Sequence, residues 1–300
     1  MLPPKPHSVE PEFDPAFEIL APATLASPLI FNSPHSGTIY PASFLAASRL
    51  DAFSLRRSED SYADRLFMPA LEVGAPLMRA HFPRCYLDVN REPYELDPRM
   101  FQGSLPALAN TRSTRVAGGL GTIPRLVGEG QEIYAGRLPV EQALARIENI
   151  YRPYHRALGQ LIAQAQRQFG LAILVDCHSM PSAMRPGEQP LAADFVIGDR
   201  YGTSCARVFC DVICAALLRL GYVVARNKPY AGGFITEHYG NPSAHCHAVQ
   251  IEVNRALYMN ERTLQPDSGF ATTQGAIAQL VSALAAEAWQ HCRPFGLAAE

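Results

Sequence analysis

The chain has 300 residues, of which 48% are hydrophobic and 18% charged, and its formal net charge is −2. This composition excludes an intrinsically disordered chain, and the small net charge gives no reason to expect a nucleic acid or a membrane surface as partner. The chain is long enough to bury a sizeable core without disulfides.

The N-terminal segment carries five prolines within residues 1–15 and few apolar side chains. We expect a flexible arm there, followed by a single domain over residues 16–300. The segment lacks the apolar run and cleavage site of an export signal, and no stretch approaches the length of a membrane span. Seven cysteines without paired spacing favour reduced thiols, so we expect a cytoplasmic protein.

Strand-like and helix-like patterns alternate along the chain. Apolar runs predict strands at 28–31, 171–175, 194–198, 222–226 and 247–253, with further strand structure between Pro76 and Asn90, most clearly in CYLDV (85–89). Helical spacing of apolar residues predicts helices over 50–73, 139–169, 203–219 and 269–290. We expect long loops at residues 91–137 and 227–247. Interleaved strands and helices predict an α/β sandwich with a mixed, mostly parallel sheet.

Polar side chains follow several of the predicted strands. His35 lies in the turn SPHSG after the first strand, Asp176 and His178 follow LAILV, and Asn90 and Arg91 follow CYLDV. In open α/β sheets, functional groups gather beyond the carboxyl ends of the strands. The sequence therefore predicts one site at this edge, although His35 alone also fits a surface loop.

Glu252 belongs to the strand HAVQIEV (247–253). Alternation places Glu252 and Gln250 on one face of this strand and Val249, Ile251 and Val253 on the other. An ionisable group in so apolar a strand indicates either a functional carboxylate or a solvated glutamate at a sheet edge.

Together these residues form the donor set of a catalytic zinc site. Such sites use two histidines and one carboxylate, and a nearby glutamate serves as base. His35, an acidic residue of SED (58–60) and His178 supply the ligands, with Glu252 as base. Asp176 can fix the tautomer of His178 from outside the ligand set. The SED run also fits a solvated charge at a helix start.

Six stretches carry a family resemblance. They are SPHSG (33–37), EDSYADRLF (59–67), RCYLDVNREP (84–93), RPYH (152–155), VDCHSMPS (175–182) and KPYAGGFITEHYGNPSAHCHAVQIEV (228–253). In this order, over residues 28–290, the chain resembles the N-formylglutamate amidohydrolases, the formylglutamate deformylases of histidine breakdown. The resemblance implies one catalytic domain that hydrolyses N-formyl-L-glutamate to formate and glutamate.

The fold that the resemblance implies is a three-layer sandwich, similar to the zinc carboxypeptidase and aspartoacylase type (phosphorylase/hydrolase-like). It implies His35 and His178 as ligands of one divalent ion, with zinc the expected metal. The wider fold group has a glutamate three residues after the first histidine, where this chain has Thr38. The family pattern favours Asp60 over Glu59 as the carboxylate ligand, but the sequence leaves both open.

The implied substrate carries two carboxylates, which planar guanidinium groups bind well. Arg91 is the first candidate to bind one, and is placed with Glu252 among the catalytic residues, since Asn90 or Arg91 can help to stabilise the oxyanion. Arg84 and Arg255 either bind substrate or form structural ion pairs.

The loop 227–247 offers further candidates for substrate binding. Gly232 and Gly233 permit backbone conformations that suit a segment folded closely over a ligand. His238 is the first histidine candidate. Together with His245 and His247 it contacts substrate, holds the loop, or forms an alternative metal site.

Two other functions stay open from the sequence. One is a related zinc deacylase or carboxypeptidase-like hydrolase acting on another N-acyl amino acid. The other is a non-catalytic binding protein that retains the pocket. The acyl group, the metal and the oligomeric state are not determined by the sequence.

Overall fold

The computed structural model describes residues 10–127, 130–183 and 192–292. Its main sheet has seven strands: β1 (Phe17–Leu20), β2 (Leu29–Ser33), β3 (Leu77–Ala80), β4 (Ala172–Met180), β5 (Phe195–Gly198), β6 (Val224–Arg226) and β7 (Cys246–Asn254). They lie in the order β1-β3-β2-β4-β7-β5-β6. Of the five neighbouring pairs with a described register, β7–β5 is antiparallel and the other four are parallel. The predicted mixed, mostly parallel sheet is confirmed.

Helices connect these strands. They are α1 (Ala42–Ala47), α2 (Ala52–Arg56), α3 (Ala63–Leu66), α4 (Thr114–Ala117), α5 (Val140–Arg146), α6 (Arg152–Phe169), α7 (Arg207–Arg219), α8 (Phe234–Tyr239) and α9 (Phe270–Gln290). Three two-stranded ribbons pair Phe101–Gln102 with Leu138–Pro139, Leu126–Val127 with Gln131–Glu132, and Met259–Asn260 with Gln265–Pro266. Within the described ranges, no helix combines the length and apolarity needed to cross a membrane.

The chain divides into two compact units, each made of three segments. The loop unit comprises Met1–Glu18, His35–Glu59 and Ala80–Ala157, and the sheet unit comprises Ile19–Pro34, Asp60–Arg79 and Leu158–Glu300. Most of the expected N-terminal arm, residues 1–9, lies outside the described residues. Its remainder includes a 3₁₀ turn at Pro11–Phe13, where Phe13 is buried in edge contact with Phe82 and Tyr86.

The sheet unit is built on one apolar face of the sheet. On β7, Val249, Ile251 and Val253 point into this core, as the alternation predicts. Helix α7 buries positions at helical spacing, Phe209, Ile213, Ala216 and Leu217 among them, and α9 does the same with Ile277, Leu280, Val281 and Leu284. Each phenylalanine, isoleucine, leucine or valine side chain among them contributes about 1.5–3 kcal/mol when it leaves water. Because this face carries the core, the other face of β4 and β7 is left for polar residues.

The loop unit has fewer regular elements. Its longest helical stretch runs from α5 through a π-helical turn at Ile147–Tyr151 into the first residues of α6, as far as Ala157. The Tyr151 hydroxyl donates to the carbonyl of Arg91 at 2.6 Å, and His155 Nε2 lies 2.9 Å from the carbonyl of Val89. The predicted helix over 139–169 is therefore confirmed, and its π turn faces the segment that carries Asn90 and Arg91. A π-helical turn inside an α-helix is frequently found at a functional site.

The strand prediction for CYLDV is wrong. This segment forms turns, with the Tyr86 and Leu87 amides donating to the carbonyl of Pro83. All five of its side chains are buried, and unbroken burial produces the same apolar run as a buried strand. Asn90 and Arg91 therefore follow a turn rather than a strand.

Three further predictions need correction. The predicted helix over 50–73 is broken into α2, α3 and a 3₁₀ segment, with Tyr62 at a positive φ of 65°. Glu59 and Asp60 thus lie in a turn rather than on a helix. The strand predicted at 171–175 continues to Met180, so Asp176 and His178 lie within β4. The loop predicted at 227–247 contains β7's first residues and the short helix α8.

Candidate active site

A row of polar side chains crosses the face of the sheet opposite the apolar core. Asp176 and His178 are two residues apart on β4 and therefore share a face. Their register partners on β7 are Gln250 and Glu252, and Asn32 on β2 is the other partner of Asp176. All five residues are buried. Buried polar groups of this density need partners, and they find them in one another.

His178 lies between two carboxylates. Its Nε2 is 2.8 Å from Asp176 Oδ2 and its Nδ1 is 2.8 Å from Asp60 Oδ2. Asp176 also accepts a hydrogen bond of 2.8 Å from the Asn32 side-chain amide. The chain Asn32–Asp176–His178 fixes the ring in orientation, as carboxylates do for metal-binding histidines.

Asp60 is held from the other side by Arg255. The guanidinium donates to Asp60 Oδ1 at 3.0 Å and to the hydroxyl of Ser179 at 3.0 Å. Of the two uses considered for Arg255, the described contacts show the ion pair. Glu59 instead accepts from Tyr40 and Arg56. The structure thus places Asp60, and not Glu59, beside His178.

His35 belongs to a second network, which is centred on Asp88. His35 Nε2 is 2.8 Å from Asp88 Oδ1, and the same oxygen accepts from the backbone N–H of Asn90 at 2.9 Å. Arg84 Nε donates to Asp88 Oδ2 at 3.1 Å, and the Arg91 guanidinium lies 3.6 Å from the same oxygen. Burial opposes ionisation of Asp88, but Arg91, His35 and Arg84 outweigh it and hold its pKa well below the usual value. Asp88 is therefore a carboxylate at neutral pH.

Three of the predicted ligands come together. Among the described residues, His35, Asp60 and His178 form a buried group whose ligand atoms, one from each, all lie within 4.8 Å of one another. Burial alone would lower the pKa of His178, but Asp176, Asp60 and Glu252 overcome it and raise that pKa well above the usual value. A site that stabilises positive charge this strongly, with two imidazoles and a carboxylate as donors, fits a divalent cation.

Glu252 is fixed by its neighbour on the strand. Gln250 Nε2 donates to Glu252 Oε1 at 2.8 Å, and the Gly233 amide donates to Gln250 Oε1 at 2.9 Å. Gly232, at a φ of 116°, occupies the left-handed region that glycine favours. The predicted glycine pair therefore lies in a turn that is bonded to the strand of the proposed base.

The proposed substrate-binding residues of the loop unit contact one another. The Arg91 guanidinium donates to the carbonyls of Leu120 and Asn90. Burial lowers its pKa to about 10, although Asp88 favours the charged form. Arg91 therefore remains a cation at neutral pH. Arg84 is more exposed, with 27% of its side chain accessible.

The three histidines of the loop 227–247 do not form a metal-binding group among the described residues. His238 is exposed and stacks on Phe234. His245 is exposed just before β7, about 20 Å along the extended strand from Glu252. His247 packs against Phe209 on the apolar side, and burial lowers its pKa to about 4. The alternative metal site at these histidines is therefore not supported by their positions.

The structure adds Asp88, Asn32 and Gln250 to the site, and the sequence interpretation gives none of the three a role. In the sequence Asp88 belongs to the apolar run CYLDV. A lone aspartate inside such a run is itself a signal, because ionised groups are rarely buried without partners. Asn32 follows the strand predicted at 28–31, yet the structure places it on β2. Gln250 was recognised as sharing a face with Glu252, and the contact between them follows from that alternation.

Sequence comparisons with known proteins identify one family. The sequence profile of the family described as N-formylglutamate amidohydrolase matches residues 27–259. An N-formylglutamate deformylase of Pseudomonas aeruginosa is 32% identical, over 78% of this chain and 83% of the relative. One from Pseudomonas putida is 30% identical, over 86% and 92%.

Solved structures show the same relationship. The crystal structure of an N-formylglutamate amidohydrolase from Ralstonia eutropha is 36% identical, with a TM-score of 0.86, and the match covers 92% of this chain and 99% of that one. A gene product of Agrobacterium tumefaciens, 18% identical with a TM-score of 0.64 over 91% and 96% of the two chains, shares the fold. The resemblance in the sequence is thus confirmed, and the chain belongs to the N-formylglutamate amidohydrolase family of enzymes.

Proposed function

We propose that this chain hydrolyses the amide bond of N-formyl-L-glutamate to formate and glutamate with one divalent ion, zinc, as cofactor. The observation that carries the proposal is the buried group of His35, Asp60 and His178, in a chain of this family. Residues 16–300 would act as one catalytic domain.

Each proposed histidine ligand has its Nε2 beside a buried aspartate that lies outside the proposed ligand set. Nε2 of His35 faces Asp88, and Nε2 of His178 faces Asp176. With Nε2 donating to these carboxylates, Nδ1 of each ring is the nitrogen suited to bind a cation. When bound, a divalent ion would polarise the formyl carbonyl and favour ionisation of the attacking water.

Glu252 is the proposed general base. It is the register partner of His178 and is close enough to raise the pKa of that imidazole. Its carboxylate would accept a proton from the attacking water and pass it to the departing glutamate nitrogen. In this scheme the C–N bond breaks, formate keeps the new oxygen, and the proton completes the amine.

The arginines of the loop unit support an acidic substrate. Arg91 and Arg84 place two guanidinium groups around Asp88, with a single carboxylate between them. The excess positive charge favours binding of the substrate carboxylates, with Asn90 as a further donor. In this proposal Gly232, Gly233 and His238 also contribute to substrate binding, and Arg255 acts through Asp60.

A cytoplasmic location is part of the same proposal. It is supported by the seven cysteines, each of which is a free thiol in the described chain. The place of the reaction in histidine degradation follows from the proposed substrate.

A turnover screen tests the function. Purified, zinc-loaded protein is offered N-formyl-, N-acetyl- and N-succinyl-glutamate, and the release of formate, acetate or succinate is measured. We expect N-formylglutamate to give the highest kcat/KM. Preference for another acyl group would reassign the chain to a related deacylase, and no turnover of any of them, with metal bound, would indicate a binding protein.

A further inference from the structure

Gln250 occupies a central position on the polar face of the sheet. It lies two residues before Glu252 on β7, and its register partners are Asp176 on β4 and Gly198 on β5. Its side chain is buried, with 5% of the residue exposed. A buried side-chain amide needs hydrogen-bond partners for both its oxygen and its NH₂ group. The two partners therefore determine its orientation.

The orientation of this amide follows from one of those partners. The Gly233 backbone N–H can only donate. The Gln250 side-chain atom 2.9 Å away must therefore be the amide oxygen, Oε1. The NH₂ group therefore faces Glu252 and donates to its Oε1 at 2.8 Å. One end of Gln250 holds the proposed base and the other end holds the turn before α8.

That turn is fitted closely against the sheet. A side chain at Gly198 would place its Cβ 2.7 Å from the carbonyl carbon of Ala231 and 2.8 Å from the Gly232 nitrogen. The absence of a side chain at Gly198 is what lets the turn approach β5. Thr236 closes the turn from the other side, since its hydroxyl donates to the Gly233 carbonyl at 2.8 Å.

We propose that Gln250 is a positioning residue for Glu252, which ties the orientation of the base to the turn Ala231–Gly233. The inference rests on the proposed function, in which Glu252 moves the proton. A hydrogen bond from a fixed amide restricts the rotation of the carboxylate and keeps it in one direction through both proton transfers. With this hydrogen bond lost, the carboxylate would keep its productive direction for less of the time, and fewer encounters would be productive.

The first test is Gln250→Met, which has a similar length but neither donor nor acceptor. We expect kcat to fall about 10- to 100-fold, the range for losing one hydrogen bond to a charged group. KM should change by less than about threefold, and the zinc content should equal that of the wild type. An unchanged kcat would overturn the inference.

Ser204→Ala is the matched control. The Ser204 hydroxyl donates to the Ala248 carbonyl of the same strand at 2.8 Å, and Ser204, like Gln250, is buried. This variant loses one buried hydrogen bond to β7 without altering the contact to Glu252. We expect its kcat to stay within about twofold of the wild type. A fall as large as that of Gln250→Met would show that any weakening of β7 lowers the rate, and would overturn the specific role.

A double-mutant cycle separates positioning from general packing. In a Glu252→Gln background there is no base to orient, so Gln250→Met should then change kcat by less than about threefold. The same 10- to 100-fold fall in both backgrounds would show that Gln250 acts independently of Glu252. The cycle is run on whichever N-acyl amino acid the wild type hydrolyses, so a wrong substrate assignment and a wrong role for Gln250 give different results. A wild type inactive on all of them would overturn both.

Discussion

His178 and Glu252 are side-by-side partners on the parallel strands β4 and β7. Their shared register puts an imidazole of the proposed metal group and the proposed base on one face of the sheet, a strand spacing apart. Neighbouring strands lie about 4.8 Å apart, so this pairing needs no loop to bring the two side chains together. The sheet itself fixes the distance.

Glu252→Gln tests whether this carboxylate is the base. The amide keeps the shape and polarity but cannot accept the proton, so the rate should fall by about 10²–10⁴-fold. Zinc content, measured by elemental analysis, should stay near one ion per chain, because no ligand has been removed. If the substitution strips the metal, Glu252 is a ligand. If neither rate nor metal changes, the base lies elsewhere.

Local patterns account for what the sequence predicted well. The alternation in β7 separates Glu252 from Val249 and Ile251 because side chains on a strand alternate with a period of two, and that period is visible in a short stretch. The wrong strand at CYLDV has the same origin, since complete burial hides whether the backbone is extended. The family pattern favours Asp60 as a ligand, although Asp60 lies between α2 and α3 rather than on the helix predicted over 50–73.

Long-range contacts could not be predicted in the same way. Asp60 and His178 are 118 positions apart in the chain and yet 2.8 Å apart in space. Nothing in either local sequence specifies that distance. The role of Asp88 depends equally on which groups surround it, because one buried carboxylate between His35 and two arginines is a property of the folded chain.

Removing a ligand should remove the metal. We expect His35→Ala and His178→Ala each to lower the zinc content well below one ion per chain and to abolish turnover, while circular dichroism shows a retained fold. His245→Ala is the control, because His245 is exposed just before β7; its metal content and activity should match the wild type. Unchanged zinc in both ligand variants would contradict the assignment.

His247 should make the protein less stable in mild acid. Its pKa is lowered to about 4 by burial, with His245 and His291 adding repulsion, whereas an unfolded histidine titrates near 6.5. Between these values the unfolded chain binds the extra proton, so the free energy of unfolding falls as the pH drops from about 6.5 to about 4. The order of magnitude is about 3 kcal/mol.

His247→Asn isolates this effect, because its side-chain oxygen can replace Nδ1 as acceptor for the Ala206 amide, a contact of 3.2 Å. Urea unfolding at several pH values gives the free energy of unfolding for both proteins. The stability of the wild type relative to the variant should decrease by about 3 kcal/mol from pH 7 to pH 4. A constant difference across this range would show that His247 does not titrate on unfolding.

Arg91→Lys tests recognition of the substrate carboxylate. Lysine keeps the charge but not the planar group that donates to the carbonyls of Leu120 and Asn90. We expect kcat/KM for N-formylglutamate to fall. The loss of transition-state binding free energy should be about 2–5 kcal/mol, the range for a buried charge-assisted pair. Arg84→Lys, at a more exposed position, should cost less and appear mainly in KM. The control substrate is N-formyl-leucine, which lacks the side-chain carboxylate. Equal kcat/KM of the wild type for the two substrates would contradict an acidic substrate, because neither arginine would then contribute to binding of the side-chain carboxylate.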